Sequence, residues 1–190
     1  DHLLFILCLI LSCRRIRSLI IVITAFTVAH SITLIASALG TVPSGLWFPP
    51  FVETFIAFSI LYMAIENILK SEQERRWPLV FIFGLLHGFG FSFALSETMQ
   101  FAGSHLITSL LAFNLGVELG QIVIVCITVP IINLIFQWTE KERIFTVIAS
   151  VIVAHTAWHW MLDRYEVMQA HNFSGFLDHS GSNTINWVIV

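Results

Sequence analysis

Ionisable side chains occur inside long apolar stretches of this 190-residue chain. Four different stretches each contain one such residue near the middle: His30, His87, Glu118 and His155. Ionisable groups are costly to bury in apolar surroundings, so they indicate a functional site. Neutral imidazole binds zinc, copper, nickel and iron, and carboxylates add charge and harder oxygen donors. This set of residue types is therefore typical of a site for a divalent transition metal.

Two polar stripes extend the set of candidate ligands. His159 follows His155 by four residues and Asp163 follows by four more, so the three lie on one face of a helix. A second stripe has the spacing i, i+4, i+7 and consists of Asn114, Glu118 and Gln121. Lipid offers no hydrogen-bond partners, so we expect this second stripe to face protein or a water-filled cavity.

The stretches that carry these residues predict an all-α membrane protein. Hydrophobic residues make up 57% of the chain and charged residues 11%, whereas soluble domains carry about 25% charged residues. A membrane-crossing helix needs ~20 mostly apolar residues. Six stretches are candidates, and they cover residues 1–11, 19–40, 50–69, 77–95, 106–136 and 144–162. We predict a polytopic bundle of about six transmembrane helices over residues 1–164, with lipid around it. Residues 165–190 form a tail, which is a disordered end, an interfacial segment or the start of a further span.

The basic residues predict the orientation of this bundle. Of the nine lysines and arginines, all but Arg164 fall between spans one and two, three and four, or five and six. The positive-inside rule makes that side cytoplasmic, so both termini face outside. Because no basic run or patch occurs, nucleic acid is excluded as a partner. The first span is short for a crossing, and we expect further residues to precede Asp1.

The depth of the four central residues can be estimated from the helical rise of ~1.5 Å per residue. His30 and His155 lie 11 residues into their spans, which is roughly 17 Å. His87 lies roughly 15 Å from Trp77, and Glu118 roughly 18 Å from the other side. In a hydrocarbon core of ~30 Å, all four are near the midplane. We therefore predict that four helices bring them together there.

Polar residues nearer the membrane surfaces suggest a path through the bundle. Asp1 and His2 open the first span, which we place near the outer surface, and Glu53 lies just inside the outer end of the third span. Glu66 and Asn67 lie near its cytoplasmic end and mark a possible inner exit. The structural alternatives are that the two glutamates snorkel or cap helices, and that a histidine such as His30 only joins two helices.

Small residues predict where helices touch. Residues 84–88 and 116–120 are both GxxxG motifs, which let helix backbones approach closely. The first brackets His87 and the second brackets Glu118. We expect close packing at both motifs to hold these side chains against neighbouring helices rather than lipid.

Several motifs resemble a known family. They are TAFTVAHSITL, VETFIAFSILYMAIEN, FGLLHGFGFSFAL and LLAFNLGVELGQ, in that order. They resemble the HupE/UreJ family of hydrogenase and urease accessory membrane proteins, and the opening DHLLF matches that family's first-span motif without its upstream half. The resemblance covers residues 1 to about 165.

The resemblance implies a bacterial inner-membrane protein tied to nickel supply, either a nickel or cobalt permease or an accessory protein. The metal would be nickel, with zinc, cobalt or copper as alternatives, and the partners would be a second copy of the chain or the proteins that mature metalloenzymes. The residues that match the family's motifs are Asp1, His2, His30, Glu53, Glu66, Asn67, His87, Asn114, Glu118 and Gln121.

Two other functions fit parts of the pattern. Multi-span ceramidase-like hydrolases hold zinc with histidines that include an HxxxH pair, and residues 155–159 have that spacing. In such an enzyme Glu118 or Asp163 would act as general base on a zinc-bound water. A structural accessory subunit, in which the polar residues only join helices, is the remaining alternative.

Overall fold

The computed structural model describes residues 1–43, 45–69, 77–99, 106–137 and 141–170. Over these residues the protein is all-helical, which confirms the predicted fold class. The helices are α1 (His2–Ser12), α2 (Ile16–Ala38), α3 (Phe48–Leu69), α4 (Trp77–Met99), α5 (Leu106–Gln137) and α6 (Glu142–Ala170). The predicted loop residues Lys70, Arg75 and Arg76 lie outside the described residues, and so does the tail beyond Ala170.

The helices differ in whether they are long enough to cross a bilayer. Helices α2, α3 and α6, and α5 over Thr108–Gln137, have the length and apolarity for a membrane span. Helix α1 has 11 residues and is therefore only ~16 Å long. Helix α4 has 23 residues, Trp77–Met99. Each of the six predicted spans corresponds to one helix of the described residues.

Helix α1 is the most deeply buried helix, because apolar side chains cover it almost all round. Buried positions include Phe5, Cys8, Leu9 and Ile10. A helix that is apolar on all sides is stable only when other helices surround it. Helix α1 packs against α3, α5 and α6, and Phe5 also contacts the rings of Phe26 on α2 and Phe83 on α4. It therefore directs its first residues into the centre of the bundle.

Glycines bring α4 against α2. A Cβ atom added at Gly84 would lie 2.6 Å from the carbonyl oxygen of Phe26 and 2.9 Å from Cβ of Ala29. One added at Gly88 would collide with the hydroxyl of Thr33 and the backbone of His30. Only hydrogen at these positions allows the backbones to approach this closely. The prediction of close packing at the first GxxxG motif is confirmed.

The second GxxxG motif behaves differently. Added Cβ atoms at Gly116 and Gly120 would have nothing within 4 Å among the residues that the structure describes. The prediction that this motif packs against a neighbouring helix of the chain is therefore wrong. Gly116 and Gly120 are exposed, because α5 turns the side of Asn114 and Gln121 toward α2 and the interior.

Arginines fasten the basic ends of the helices. Arg14, just after α1, donates to the carboxylate of Glu142 at 2.7 Å, at the start of α6. Arg143 donates from Nη1 to the carbonyl oxygen of Asn67 at 2.7 Å, and from Nη2 to that of Ile68. These carbonyls belong to the last turn of α3, where no intrahelical donor is available. The arginines thus fix how α1, α3 and α6 are arranged at this end.

Candidate metal centre

Three histidines from three helices meet in the interior of the bundle. The ring centroid of His2, on α1, lies 5.4 Å from that of His30, on α2, and 5.1 Å from that of His87, on α4. His87 is fully buried and His30 is 2% exposed. The His2 ring lies edge-on to both of the others. We call His2, His30 and His87 the histidine cluster.

The packing of the helices positions this cluster. The contact of Gly88 with the backbone of His30 brings α4 against α2 one residue away from His87. The ring of Phe26 stacks on His30 and meets His87 edge-on, with centroids 6.1 and 5.1 Å apart. Helix α1 then places His2 beside both histidines, because the apolar residues of α1 are packed in the surrounding core.

Hydrogen bonds fix which ring nitrogen of His87 carries the proton. Its Nδ1 lies 2.9 Å from the carbonyl oxygen of Phe83. A carbonyl oxygen only accepts hydrogen bonds, so Nδ1 donates and carries the proton. Its Nε2 then has a free lone pair, which is the form of imidazole that binds metals.

The same tautomer follows for His30. Its Nδ1 lies 2.8 Å from Oδ1 of Asn114. The amide nitrogen of Asn114 donates to the carbonyl oxygen of Leu110 at 3.1 Å, which leaves Oδ1 as the atom that faces the ring. Nδ1 of His30 therefore donates and Nε2 is free. Metal-binding histidines usually have such a partner on the second ring nitrogen.

The Nε2 atoms of all three histidines are buried and have no hydrogen-bond partner within the part of the chain that the structure describes. Leaving a buried polar atom without a partner is unfavourable, so such atoms call for a ligand or another explanation. Three imidazole nitrogens from three helices in one buried place are what a transition metal would use.

The spacing of the rings can be compared with that of a metal complex. A metal 2.0–2.1 Å from a ring nitrogen lies roughly 3.2 Å from the ring centre, so the centres of two tetrahedral ligands are roughly 5.2 Å apart. The two separations from His2, 5.1 and 5.4 Å, match this value. However, no three histidine, cysteine, aspartate or glutamate side chains among the described residues are arranged so that they could hold one ion. The cluster thus has ligand spacing around His2 but no closed ligand shell.

A cavity of about 230 Å³ adjoins the cluster between α1, α2 and α5. His2 and His30 form part of its wall, together with Gln121 from α5. Gln121 is only 4% exposed, and neither atom of its amide has a hydrogen-bond partner in the described ranges. The other lining residues are apolar or lack a polar side chain: Leu3, Ile6, Phe91, Val117, Gly120 and Ile124.

Glu118 does not join the cluster. Its carboxylate accepts a hydrogen bond from the hydroxyl of Thr24 on α2 at 2.9 Å. Depth was estimated from the number of residues, but the direction of the side chain depends on how α5 is rotated about its axis. Together with Asn114 and Gln121, Glu118 still lies on the face of α5 that meets α2, so the polar stripe does face protein.

His155 and His159 also lie apart from the cluster. Their rings contact each other, with centroids 4.5 Å apart, and both side chains are exposed, as is Asp163. The predicted meeting of His155 with His30 and His87 is therefore wrong. Helix α6 packs mainly on α3, and its small buried positions, Ser150 and Ala157, face the bundle instead.

The placement of His2 near the outer surface is wrong as well. It contacts His30 and His87, which lie at mid-depth by count of residues, so His2 lies at their level. The physical reason is the position of His2, 12 residues before Arg14 at the basic end, which is roughly 18 Å along a helix and about half of the core. That signal was present in the sequence, in the short distance between His2 and Arg14.

The remaining candidates on α3 have partners elsewhere, and Asp1 is exposed. Glu53 forms an ion pair with Arg164 at 3.3 Å, which joins α3 to α6 at the end opposite the other arginines. The amide of Asn67 donates to the carbonyl oxygen of Cys8 at 2.8 Å, so Asn67 joins α3 to α1. Glu66 is half-buried one residue before it. A helix-joining role thus explains Glu53 and Asn67.

Comparisons with known proteins identify one family. A family model described as HupE / UreJ protein matches residues 1–164, and this match confirms the resemblance drawn from the motifs. No curated protein and no solved structure matches the chain.

Proposed function

We propose, on the premise that this chain belongs to the HupE/UreJ family, that it is a membrane permease for a divalent transition metal, with nickel as its ion. The family implies a role in nickel or cobalt transport or an accessory role in the membrane, and it is not a family of known enzymes. The proposal adds the place where the ion binds, which is the histidine cluster.

The observation that supports this site most directly is the set of three buried Nε2 atoms without partners. If His30 and His87 only joined helices, both ring nitrogens of each would have hydrogen-bond partners in neighbouring helices. Instead, only the Nδ1 atoms are used, and the metal-binding nitrogens are left free.

The charges of the surroundings suit transport rather than permanent retention. Neutral imidazoles add no charge, and the nearest candidate carboxylate on α5, that of Glu118, is hydrogen bonded to Thr24 instead. Such a site compensates less of the desolvation cost of a divalent cation than a site with bound carboxylates would. We infer that the ion binds weakly enough to leave, as conduction requires.

The direction of transport is part of the same proposal. We place the basic ends of the helices on the cytoplasmic side of a bacterial inner membrane, with the opposite ends toward the outside. The ion then enters from the side of Asp1, binds at the cluster and leaves toward Glu66, whose half-buried carboxylate is nearer the cytoplasmic end of α3. His159 and Asp163, which face away from the bundle, are not on this route.

The test is uptake of radioactive nickel by cells that express the wild type or His87→Ala at equal levels in the membrane. We expect uptake to fall by at least about tenfold, because one of three ligands is lost. His155→Ala is the matched control, since it removes an imidazole from an exposed position. Equal uptake by wild type and His87→Ala would refute the proposed site. A different outcome would indicate an accessory, metal-holding role. In that case the wild type binds nickel without taking it up, and His87→Ala loses the binding.

A further inference from the structure

We propose that a pocket at the basic end of the helices binds an anionic phospholipid, with the phosphate at Arg15 and an acyl chain between α1 and α2. We call it the lipid pocket. It measures about 860 Å³, within the range of about 300–1,000 Å³ that is usual for sites that enclose a small organic ligand. This inference goes beyond the proposed function and does not depend on the metal site.

The lipid pocket is polar at one end and apolar at the other. Arg14 and Arg15, between α1 and α2, line its polar end. Leu9 on α1, and Leu19 and Val22 on α2, line its apolar end. These three lie three to six residues inside their helices, which is roughly 5–9 Å along the axis. A phospholipid has the same order along its length, with a charged phosphate first and hydrocarbon beneath it.

The two arginines differ in how far their charge is already compensated. Arg14 forms an ion pair with Glu142 at 2.7 Å and a hydrogen bond to Oδ1 of Asn133 at 3.3 Å. Arg15 is exposed, and its side chain has no hydrogen bond or ion pair within the described part of the chain. Its guanidinium offers five N–H donors in a geometry that matches phosphate oxygens. No carboxylate is among the described residues that line the pocket.

The surroundings of the pocket suit a lipid better than a dissolved anion. Ile21 and Trp77 also line it and are 57% and 56% exposed, so the pocket opens on the outer surface of the bundle. Tryptophan is enriched at the membrane–water interface, and basic pockets between transmembrane helices on the cytoplasmic side bind anionic headgroups. A free phosphate would leave the apolar end in contact with water, which is unfavourable.

The experiment measures contact of lipid chains with Trp77. The full chain is reconstituted in phosphatidylcholine vesicles that contain a small fraction of phosphatidylglycerol with brominated acyl chains, which quench tryptophan fluorescence on contact. The chain has six tryptophans, so the contribution of Trp77 is taken as the difference from Trp77→Phe. We expect stronger quenching of Trp77 by brominated phosphatidylglycerol than by brominated phosphatidylcholine at the same fraction. Equal quenching by the two lipids would overturn the proposal.

Substitutions then test the role of Arg15. Arg15→Gln should weaken the binding of phosphatidylglycerol by at least about tenfold, because a hydrogen-bonded charge is lost, whereas Arg15→Lys keeps the charge and should retain part of the preference. Arg17→Gln is the matched control, since it removes the same charge two residues away and Arg17 does not line the pocket. Equal loss in Arg15→Gln and Arg17→Gln would indicate general attraction to the basic loop and would refute a specific pocket.

The apolar end is tested separately from the charge. Val22→Phe narrows this end and should reduce quenching by phosphatidylglycerol, and unchanged quenching in the folded variant would mean that no chain enters between α1 and α2. Inorganic phosphate should reduce quenching no more than sodium chloride of equal ionic strength. A larger effect of phosphate would mean that a free anion occupies the pocket, and the lipid assignment would be wrong. None of these measurements uses nickel, so their failure would leave the proposed function standing.

Discussion

Asn114 should control the affinity of the histidine cluster for metal without being a ligand itself. Its Oδ1 accepts the hydrogen bond from Nδ1 of His30 at 2.8 Å, and it is buried, with 3% of its surface exposed. Replacement by leucine removes this acceptor while keeping a similar volume. The His30 ring then loses both its fixed orientation and its fixed tautomer, so part of the population presents a protonated Nε2 to the metal.

The size of the effect follows from the role of such partners. Loss of a hydrogen bond to a metal-binding histidine typically weakens metal binding about 10- to 100-fold, equal to about 1.4–2.7 kcal/mol. Asn114→Leu also leaves Nδ1 of His30 buried without an acceptor, which should lower the free energy of unfolding by about 1–3 kcal/mol. Asn114→Asp keeps an acceptor oxygen, so its affinity should remain closer to that of the wild type.

The assay is a nickel titration of purified protein, with a thermal unfolding scan of the same samples. The expected order of affinity is wild type and Asn114→Asp above Asn114→Leu. Wild-type affinity in a folded Asn114→Leu protein would refute the reasoning, because the Nδ1 hydrogen bond would then have no influence on the metal-binding nitrogen. Equal weakening by both substitutions would also count against it.

The other predictions concern packing and the residues outside the cluster. Gly88→Ala should lower the unfolding temperature and weaken nickel binding, because the added methyl group collides with α2. Gly116→Ala should change neither, since its surroundings are open. Thermal scans with and without nickel would show this difference. Arg143→Ala should lower the free energy of unfolding by about 1.5–3 kcal/mol through loss of its hydrogen bonds to the end of α3, and a detergent unfolding curve with unchanged stability would contradict that. His155→Ala and His159→Ala should leave nickel affinity at the cluster unchanged, since both face away from it; a tenfold loss in a nickel titration would place them at the site.

The helical elements were predictable because hydropathy is a local property of the sequence. Each apolar stretch became one helix, with ends that differ by three residues at Ile16 and by eight at Ala170. The charged residues at these ends also limit where the helices can stop. Composition therefore set the number of helices and the polar residues that they contain.

The members of the site were predicted only in part. His30 and His87 were identified from their depth, and Asn114 and Gln121 from their spacing along α5. His2 was named as a ligand but placed near the outer surface, whereas its ring contacts those of His30 and His87 in the interior. His155 and Glu118 have suitable depth and nevertheless point elsewhere.

The sequence by itself determined a membrane bundle and its family, because these depend on composition and motifs. Only the tertiary structure decided which side of each helix faces the others. That choice depends on packing between helices, as when Gly88 lets α4 approach α2 while Gly116 remains open. Since a rotation about the helix axis changes no depth, counting residues left it undetermined, and the contacts of His2 with His30 and His87 became visible only in the folded protein.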